Sequence, residues 1–600
     1  MPMPQVNDTT QAFDTTQSFD NMQATDTLHA TDIPQATDTI APPTPHTPAA
    51  QRPPRAAATL VVVRDGPSGI EVLLSRRAER GDHNSGAWVF PGGIVDPGDR
   101  EAHACCAGID DATASARLGL EANGLDHYIA AVRECFEESG LLFATDRSGE
   151  LVGFDHAGGA PLGAWRGSLH RNERTLGDMC REFGLTLALD RLAYLSHWLT
   201  PLARPKRFDT RFFIAEAPAL QTAAFDGTEM IEQLWLRPAE ALTRASELKL
   251  MTPTQKTLEL VGTHATAAAL LTWARSPREV ALIMPRVANG RQGMRPVLPD
   301  EPAFAELGRI DPAGHGSGCY DIRVGTPVRL SPRLIRVTAN NGSLMTGPGT
   351  NTYLLGGGVR NEWAVIDPGP LDAAHVEAVL AAAPGPIRWI FATHTHNDHS
   401  PACAPLKART GATVHGRLPD HAEWQDASFA PDVHLLGGER FELPGDTTLH
   451  VLHTPGHASN HLCYLLEQER LLFTGDHVMQ LSTVVINPPD GDMSAYIGSM
   501  RELGELHLDW LAPGHGFLMA EPRQAMELIV AHRLRREAKV VRALRELGPA
   551  DDQALLVRVY DDVKPQLLAM AMRSLRAHLF KLRDDGVAAE TEGCWSLRMR

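Results

Sequence analysis

Residues 388–399 read RWIFATHTHNDH, an apolar and aromatic run that ends in a cluster of polar side chains. The run predicts a buried strand, because short apolar segments with aromatic residues are typical of strands inside a sheet. Four candidate metal ligands follow within six residues: His394, His396, Asp398 and His399. A single histidine is usually a surface or core residue, but four ligating groups directly after a buried strand are hard to explain structurally. The stretch therefore predicts a metal site at the end of this strand.

Further candidate ligands stand after three later strand patterns. The segments 449–452, 471–474 and 508–512 run into HTPGH, GDH and PGHG. Ligands at strand ends of an open α/β fold converge on one edge, so these side chains are expected to meet the first cluster. The residues concerned are His457, Asp476 and His515.

Together these residues resemble the signature of the metallo-β-lactamase superfamily, H-x-H-x-D-H with later His, Asp and His ligands. The resemblance implies an αββα sandwich that binds two metal ions. It assigns one metal to His394, His396 and His457, the other to Asp398, His399 and His515, and a bridging role to Asp476. His453 and His477 match no position in the signature. Neutral imidazoles and carboxylates at open sites suit two Zn²⁺, with Fe or Mn as alternatives.

Two residues receive further roles from this resemblance. Asp367 follows the strand pattern 364–366 and is expected to orient a ligand from behind. Asp398 is expected to be catalytic, beside a water whose pKa two close metal ions lower, so that hydroxide is available near neutral pH. The superfamily includes β-lactamases, thioester hydrolases and ribonucleases, so the signature leaves the substrate open.

The C-terminal region narrows the resemblance to one branch. Segment 346–354 reads TGPGTNTYL, segment 532–537 reads HRLRRE, and residues 546–600 carry two helical patterns and two short strand patterns. This combination resembles the β-lactamase-like protein 2 branch, which includes an endoribonuclease acting on single-stranded RNA. Residues 532–545 hold six basic residues and one acid, whereas residues 546–600 hold eight basic and nine acidic residues. RNA therefore remains an alternative partner.

A second cluster of candidate ligands lies in DHYIAAVRECFEESGL at 126–141. Glu134, Glu137 and Glu138 stand on one face of the predicted helix, where three like charges repel one another. A bound divalent cation reverses the sign of that interaction. Hard oxygen ligands suit Mg²⁺ or Mn²⁺ acting together with substrate phosphates, so the helix predicts a second metal site.

Residues 88–99 read WVFPGGIVDPGD, and with the helix they resemble the Nudix box. Gly93 matches its first Gly, Asp99 replaces its first Glu, and the R-E-x-x-E-E core is matched by Arg133, Glu134, Glu137 and Glu138. The 33 residues 100–132 stand where the family has a short spacer, so the box carries a long insertion. The resemblance places Gly92, Gly93 and Asp99 beside the substrate or behind the ligands, and Arg133 is expected to orient a glutamate.

Three more segments resemble a Nudix branch related to the coenzyme A diphosphatases: LLSRR at 73–77, WLTP at 198–201 and RFDTRFF at 207–213. The resemblance implies an α/β/α sandwich that hydrolyses a nucleoside diphosphate linked to another moiety, with a substrate like coenzyme A (CoA) favoured. In such chemistry carboxylates hold the metal, the metal neutralises developing charge, and water attacks phosphorus.

Composition limits what the chain binds and where it works. A net charge of −17 opposes binding of polyanions except at a local basic patch. Eight cysteines without a C-x-x-C pair predict reduced thiols and a cytoplasmic protein. No run of 18 apolar residues and no secretory signal pattern occur, so no membrane partner is expected. In residues 1–55, aspartates at a period of six precede a proline-rich segment, which predicts a disordered tail.

The predicted fold is therefore multidomain, α/β and α+β, with a Nudix α/β/α sandwich, a metallo-β-lactamase αββα sandwich and a small C-terminal winged helix. The predicted boundaries are a tail at 1–55, a Nudix domain at 56–283, a linker at 284–319, a lactamase-fold domain at 320–545 and a winged-helix-like domain at 546–600.

The predicted function is that of a bifunctional metal-dependent hydrolase. The N-terminal half acts on a nucleoside diphosphate of CoA type, and the C-terminal half hydrolyses a thioester or related ester. One alternative is RNA processing by an endoribonuclease half and a 5′-end hydrolase half. Another is a Nudix half that senses a nucleotide without catalysis, against which the intact glutamates argue. The oligomeric state is left open.

Overall fold

A computed structural model describes residues 53–79, 85–153, 159–202, 204–480 and 483–598. The repeat segment of the predicted tail lies outside the described residues. The chain divides into two compact units. Among the described residues, the N-terminal unit comprises 53–287 and 313–315, and the C-terminal unit comprises 288–312 and 316–598.

The N-terminal unit is built on an eight-stranded sheet and a small three-stranded sheet. Its strands are β1 (Arg55–Gly66), β2 (Gly69–Arg77), β3 (Trp88–Val89), β4 (Gly92–Ile94), β5 (Cys106–Ala107), β6 (Ala144–Thr145), β7 (Thr186–Ala188), β8 (Ala193–Leu199), β9 (Phe208–Glu216), β10 (Met230–Leu236) and β11 (Leu282–Ile283). The large sheet has the order β10-β2-β1-β9-β8-β11, with β3 on β2 and β4 on β1, and the small sheet has the order β5-β7-β6. Strands β1 and β9 are parallel, so the chain crosses over between them.

Helices cover both faces of the large sheet. They are α1 (Asp111–Leu118), α2 (Gly124–Ser139), α3 (Gly159–His170), α4 (Leu176–Phe183), α5 (Pro238–Thr243), α6 (Thr252–Gly262) and α7 (Ala267–Arg275). Leu60 and Val62 of β1 pack into the core that contains α2. Val61 and Val63 are equally buried, and strand alternation turns them to the opposite face. The layers therefore form the predicted α/β/α sandwich, with α2 packed between the sheet and α1.

The C-terminal unit contains two mixed sheets that face each other. Its strands are β12 (Arg286–Ala288), β13 (Arg295–Val297), β14 (Val328–Ser331), β15 (Leu334–Thr338), β16 (Asn351–Gly357), β17 (Glu362–Ile366), β18 (Ile387–Phe391), β19 (Thr413–Gly416), β20 (Val433–His434), β21 (Arg440–Leu443), β22 (Thr447–His453), β23 (Leu462–Leu466), β24 (Leu471–Gly475), β25 (Trp510–Pro513), β26 (Ala588–Thr591) and β27 (Cys594–Leu597). Strands β14 to β20 form one sheet in chain order, and β21 to β25 form the other.

One apolar core lies between these sheets and two cores lie outside them. Leu355 and Phe391 of the first sheet pack with Leu449 and Tyr464 of the second. The unit's helices are α8 (Phe304–Ile310), α9 (Ala373–Ala382), α10 (Cys403–Thr410), α11 (Met493–Gly504), α12 (Pro522–Leu547), α13 (Asp552–Val559) and α14 (Leu568–Asp584). Helices α9 and α10 cover the outer face of the first sheet, and α11 and α12 cover that of the second. This is the predicted αββα sandwich.

The segment predicted as a linker, 284–319, is folded instead. It contains β12, β13 and α8, and it shares a small core with the sandwich through Val297, Leu307 and Phe517. Arg336 and Glu306 form a buried bidentate ion pair, with N–O distances of 2.6 and 2.9 Å, and Glu306 Oε2 also accepts from the Leu518 N–H at 2.8 Å. The segment lacks a periodic sequence pattern, which suggested a linker, because its strands are very short. Contacts with residues distant in the sequence keep it ordered.

The winged-helix region has the expected elements, α13, α14 and the antiparallel pair β26–β27. Its core also takes Val540 and Leu544 from α12, whereas Met526 of the same helix packs into the sandwich. The predicted boundary at 545/546 therefore falls inside one continuous helix, because α12 belongs to both cores. Among the described residues, no helix combines the length and the apolar content needed to span a bilayer.

Candidate functional site

The seven predicted ligands of the C-terminal unit come together at the strand ends. The segment after β18 supplies the first four, and the ends of β22, β24 and β25 lead into the others. Two groups result, in each of which the candidate ligand atoms lie within 4.8 Å of one another. One group is His394, His396, His457 and Asp476, and the other is Asp398, His399, Asp476 and His515. The groups share Asp476, the residue predicted to bridge two metals.

In the first group, imidazole nitrogens face one another. His394 Nε2 and His457 Nε2 each lie 3.0 Å from His396 Nδ1, and His457 Nε2 lies 3.8 Å from Asp476 Oδ2. Burial and the neighbouring imidazoles lower the pKa of all three histidines, that of His396 to about 3. Three neutral rings with converging nitrogens are arranged as metal ligands require, because a metal binds the unprotonated nitrogen.

In the second group, two histidines face two carboxylates. His399 Nε2 and His515 Nε2 lie 3.2 and 3.1 Å from Asp476 Oδ1, and 3.5 and 3.4 Å from Asp398 Oδ2. Burial lowers the pKa of both histidines, but the carboxylates outweigh it, so that of His399 lies well above its ordinary value and that of His515 rises to about 9. The raised pKa values reflect two buried carboxylates whose charge a bound cation would balance instead.

Three buried atoms of this second group test whether the donor set fits a metal. His399 Nε2, His515 Nε2 and Asp476 Oδ1 are buried, and the two nitrogens lie 3.2 and 3.1 Å from that oxygen, but within the described residues none of them makes a contact with the geometry of a hydrogen bond. Buried polar atoms without partners cost free energy, so we expect a bound group that contacts all three atoms. A divalent metal meets that requirement with nitrogen and oxygen donors.

The outer nitrogen of each of three histidines is held by an acceptor. His399 Nδ1 lies 2.9 Å from Asp367 Oδ2, which also accepts from the Thr393 hydroxyl at 2.8 Å. His457 Nδ1 lies 2.9 Å from the Val485 carbonyl oxygen, and the carbonyl oxygen of Gly349 lies 3.1 Å from the Nδ1 of His515. With the proton on Nδ1, the Nε2 lone pair is left for a metal.

Several residues at the site carry no motif and were not predicted. His461 is fully buried, and its ring centroid lies 5.1 Å from that of His394. Arg533 of α12 donates to the carbonyl oxygen of Val484 at 2.5 Å, one residue before the carbonyl that holds His457. The segment HRLRRE, which contains Arg533, indicated the β-lactamase-like protein 2 branch, but it did not predict this contact.

The two histidines left out of the ligand set also lie outside both groups. His453 Nε2 lies 3.0 Å from the carbonyl oxygen of Ser459, and His477 is buried with its ring centroid 4.7 Å from that of Tyr496. Strand-end position alone therefore does not identify a ligand. The spacing of the motif does.

In the N-terminal unit, Arg133 organises the predicted carboxylate helix α2. Its guanidinium donates to both oxygens of Asp99, at 2.7 and 3.1 Å, to Glu134 Oε1 at 2.8 Å and to the carbonyl oxygen of Ile94 at 2.9 Å. The long insertion folds as a 3₁₀ turn, β5 and α1, and it leaves Asp99 beside Arg133. Asp99 thus occupies the place its motif position implies.

Glu138 and Glu137 lie in a mostly buried environment on the same helix. Glu138 Oε2 accepts from the Gly92 N–H at 3.0 Å, whereas Glu137 Oε1 is buried without a hydrogen-bond partner among the described residues. Burial raises the pKa of Glu134, Glu137 and Glu138, that of Glu137 to about 7. Arg133 is the main cation near them, so a divalent cation fits the unbalanced charge. Within the described residues these carboxylates are less closely gathered than the two groups of the C-terminal unit.

Comparisons with known proteins identify three regions of the chain. The metallo-β-lactamase superfamily matches residues 345–515, the NUDT19 Nudix domain matches 121–260, and the β-lactamase associated winged helix domain matches 553–595. The protein is thus a multidomain hydrolase that binds divalent metal. The chain belongs to the metallo-β-lactamase superfamily and joins that fold to a Nudix domain.

The C-terminal unit is similar to two curated proteins. One is an atrochrysone carboxyl ACP thioesterase of Aspergillus chevalieri, 34% identical over 224 residues, which are 36% of this chain and 68% of the relative. The other is a β-lactamase-like protein 2 homolog of Drosophila melanogaster, 30% identical over 271 residues, 43% of this chain and 90% of the relative. A crystal structure of a NUDIX hydrolase from Alicyclobacillus acidocaldarius is 29% identical with a TM-score of 0.32, covering 38% of this chain and all of that one. The predictions of fold class and hydrolase activity are confirmed.

Proposed function

We propose that the C-terminal unit hydrolyses an acyl thioester and that the N-terminal unit hydrolyses a nucleoside diphosphate of CoA type. The observation that carries the proposal is the pair of buried ligand groups that share Asp476. The similarity of this unit to a protein named as an ACP thioesterase supports the choice of a thioester.

In this proposal the donor atoms already described hold two Zn²⁺, with Fe or Mn as alternatives. His394, His396 and His457 would hold one ion and Asp398, His399 and His515 the other, with Asp476 as the ligand that the two groups share. When bound, the metals supply Lewis acidity that makes water nucleophilic near neutral pH and polarises the thioester carbonyl. Asp367 keeps His399 oriented through its Nδ1–H.

Asp398 is the residue of the ligand set best placed to handle a proton. Its side chain is 25% exposed, whereas those of Asp476, His399 and His515 are at most 9% exposed. Its Oδ2 faces both histidines and accepts from the Thr350 hydroxyl at 3.2 Å, so we infer that Oδ1 is the oxygen available to a proton. Oδ1 can take the proton of the attacking water and return it to the departing thiolate as the C–S bond breaks.

The contacts of the basic helix α12 argue against RNA as the substrate. Arg536 pairs with Asp562 at 2.8 Å, Lys539 pairs with Asp561, and Arg533 is only 4% exposed. Half of the basic residues counted in 532–545 are therefore either buried or paired with acidic residues of this chain. They brace the winged helix and offer little charge to a phosphate backbone.

For the N-terminal unit, we assign Mg²⁺ or Mn²⁺ to Glu134, Glu137 and Glu138. A bound ion would neutralise charge that develops on a diphosphate during attack by water. Arg133 orients Glu134, and Asp99 holds Arg133 from behind. The Gly92 N–H fixes one oxygen of Glu138, so that the other can face the ion. Glu137 Oε1 accepts no hydrogen bond among the described residues and lies 3.5 Å from an Arg133 nitrogen, which leaves it able to contact such an ion.

The test uses the full chain with Mg²⁺, Zn²⁺ and an acyl-CoA, with products identified by mass spectrometry. Free CoA is the expected product of the C-terminal unit, and 3′,5′-ADP with acyl-phosphopantetheine is the expected product of the N-terminal unit. His396→Ala should abolish the first product and spare the second, with His453→Ala as the control for a nearby histidine outside both groups. Survival of the first reaction in His396→Ala would overturn the assignment of that unit.

A matched experiment examines the Nudix carboxylates. Glu137→Gln with Glu138→Gln should abolish 3′,5′-ADP formation without changing thioester hydrolysis. Glu173→Gln is the control, since Glu173 is exposed and pairs with Arg171 at the surface. Unchanged diphosphatase activity in the double variant would favour the nucleotide-sensor alternative. If neither product forms, a single-stranded RNA with a modified 5′ end is the next substrate to test.

A further inference from the structure

Trp424 differs from the other nine tryptophans because it is 60% exposed, whereas they are buried or half-buried. Its backbone also lies in the left-handed region, with φ of 69°. A bulky residue is rare there and pays a conformational cost. An exposed indole loses the burial that usually stabilises a ring of this size. Two unfavourable features at one residue point to a use outside packing.

The loop that carries Trp424 is tied to the metal-ligand segment. Gln425, the next residue, forms an isolated β-bridge with His396. Its side chain accepts from the Thr395 hydroxyl at 2.6 Å and donates to Asp490 at 2.8 Å. The Asp426 N–H donates to the Thr395 carbonyl at 2.6 Å. These contacts hold the strained backbone in place, and they put Trp424 next to a residue that bridges the ligand segment, a position we call the rim of the lactamase-fold site.

The winged helix places a cation over this ring. Arg573 of α14 has its guanidinium carbon 4.9 Å from the Trp424 ring centroid. Other basic residues of the same helix have acidic partners: Arg576 pairs with Asp552, and Lys581 pairs with Glu537. Arg573 has no carboxylate partner among the described residues. In a chain of net charge −17, such a cation is an isolated attractive point for an anion.

We propose that Trp424 and Arg573, the rim pair, bind the nucleotide end of a CoA-type thioester. The indole stacks on the base with its open face, and the guanidinium binds a phosphate of the same nucleotide. The inference rests on the proposed thioester function. It adds that the acyl group arrives on a nucleotide carrier, not on a carrier protein, because a carrier protein presents its thioester without a base or a 3′-phosphate.

The experiment compares two thioesters of the same acyl group, one on CoA and one on phosphopantetheine, with the full metal-loaded chain. The wild type is expected to show a lower KM for the CoA form. Trp424→Ala and Arg573→Gln are each expected to raise the KM for acyl-CoA by roughly 5- to 100-fold with kcat unchanged, since stacking and charge contacts at this distance bind ground and transition states alike. Trp424→Phe keeps a stacking ring and should restore most of the affinity.

The control on the same helix is Arg576→Gln, which should leave the kinetics of both thioesters at wild-type values. A second readout is inhibition of thioester hydrolysis by 3′,5′-ADP, measured with the Glu137→Gln, Glu138→Gln protein so that the Nudix site cannot consume the substrate. Trp424→Ala should weaken this inhibition by a similar factor. A merely structural role for the rim pair would lower kcat or stability and leave the ratio between the two thioesters unchanged.

The outcomes separate the inference from the proposed function. If wild type hydrolyses both thioesters equally and the variants do not change the ratio, the rim pair is not a nucleotide subsite and the thioester function stands. If neither thioester is hydrolysed, the proposed function and the inference fail together. If Trp424→Ala leaves acyl-CoA unaffected and reduces cleavage of a single-stranded oligoribonucleotide, the rim pair serves RNA and the inference is overturned.

Discussion

Replacing Glu306 with Gln should destabilise the C-terminal unit far more than a change at the surface. The Arg336 and Glu306 side chains are 2% and 3% exposed, and they form two hydrogen bonds with each other. Gln keeps the size and shape of Glu, so no cavity forms. The cost is electrostatic, because a guanidinium stays buried without its counter-charge.

The magnitude follows from this burial. Removing one partner of a buried ion pair costs about 3–5 kcal/mol, and Gln retains one acceptor, so about 3 kcal/mol is expected. That is roughly a 150-fold change in the equilibrium between folded and unfolded protein. Replacing both residues, Glu306→Leu with Arg336→Met, should cost less than the single change, because no unpaired charge remains.

The assay is hydrogen exchange of the full chain in moderate denaturant, read by mass spectrometry on peptides covering 304–310 and 328–338. These peptides report opening of the C-terminal unit without averaging over the N-terminal unit. The control is Glu527→Gln, which removes an exposed i,i+4 pair with Arg523 and should change stability little, because solvent screens that pair. The reasoning fails if Glu306→Gln and Glu527→Gln change the hydrogen-exchange rates equally. It also fails if the stability cost of the double replacement equals the sum of the costs of the two single replacements.

Three further predictions concern the two metal sites. Asp367→Ala should lower metal affinity about 10- to 100-fold by freeing the His399 ring, measured as metal retained after dialysis, and full retention would contradict the orienting role. Gly93→Ala should reduce diphosphatase activity and spare thioester hydrolysis, because a Cβ there would lie 2.3 Å from Glu134 Oε1. If the variant keeps the diphosphatase activity of the wild type, the carboxylate moves aside at no cost. Removing metal with a chelator should lower the unfolding temperature of the C-terminal unit, since free metal at about 1,000 times its Kd contributes about 4 kcal/mol, and restoring metal should reverse the loss.

Much of the ligand set could be predicted from sequence because motif spacing is local. The HTHNDH turn and the strand ends at His457 and His515 place ligands before any tertiary contact is known. Asp99 could be proposed across the 33-residue insertion from its motif position, whereas its bond to Arg133 is seen in the structure. These residues follow short-range rules of strand and helix geometry.

The remaining features depend on contacts that no short pattern records. The segment 284–319 is ordered by the small core around Val297 and Leu307 and by the ion pair between Glu306 and Arg336, which are 30 positions apart. His461 follows no strand-end motif, and the exposure of Trp424 is set by the loop around it. Helix α12 continues past the predicted boundary because its apolar positions serve two cores in turn.

The length of α12 also constrains how the protein can change over evolutionary time. Met526 and Val540 of this helix anchor the sandwich and the winged helix. One inserted residue between them would turn the winged helix by about 100° and advance it by about 1.5 Å. Arg573 would swing away from Trp424, even though every core residue was kept. Relatives that preserve this pairing are therefore expected to tolerate substitutions at the exposed positions of the helix and to reject insertions and deletions in it.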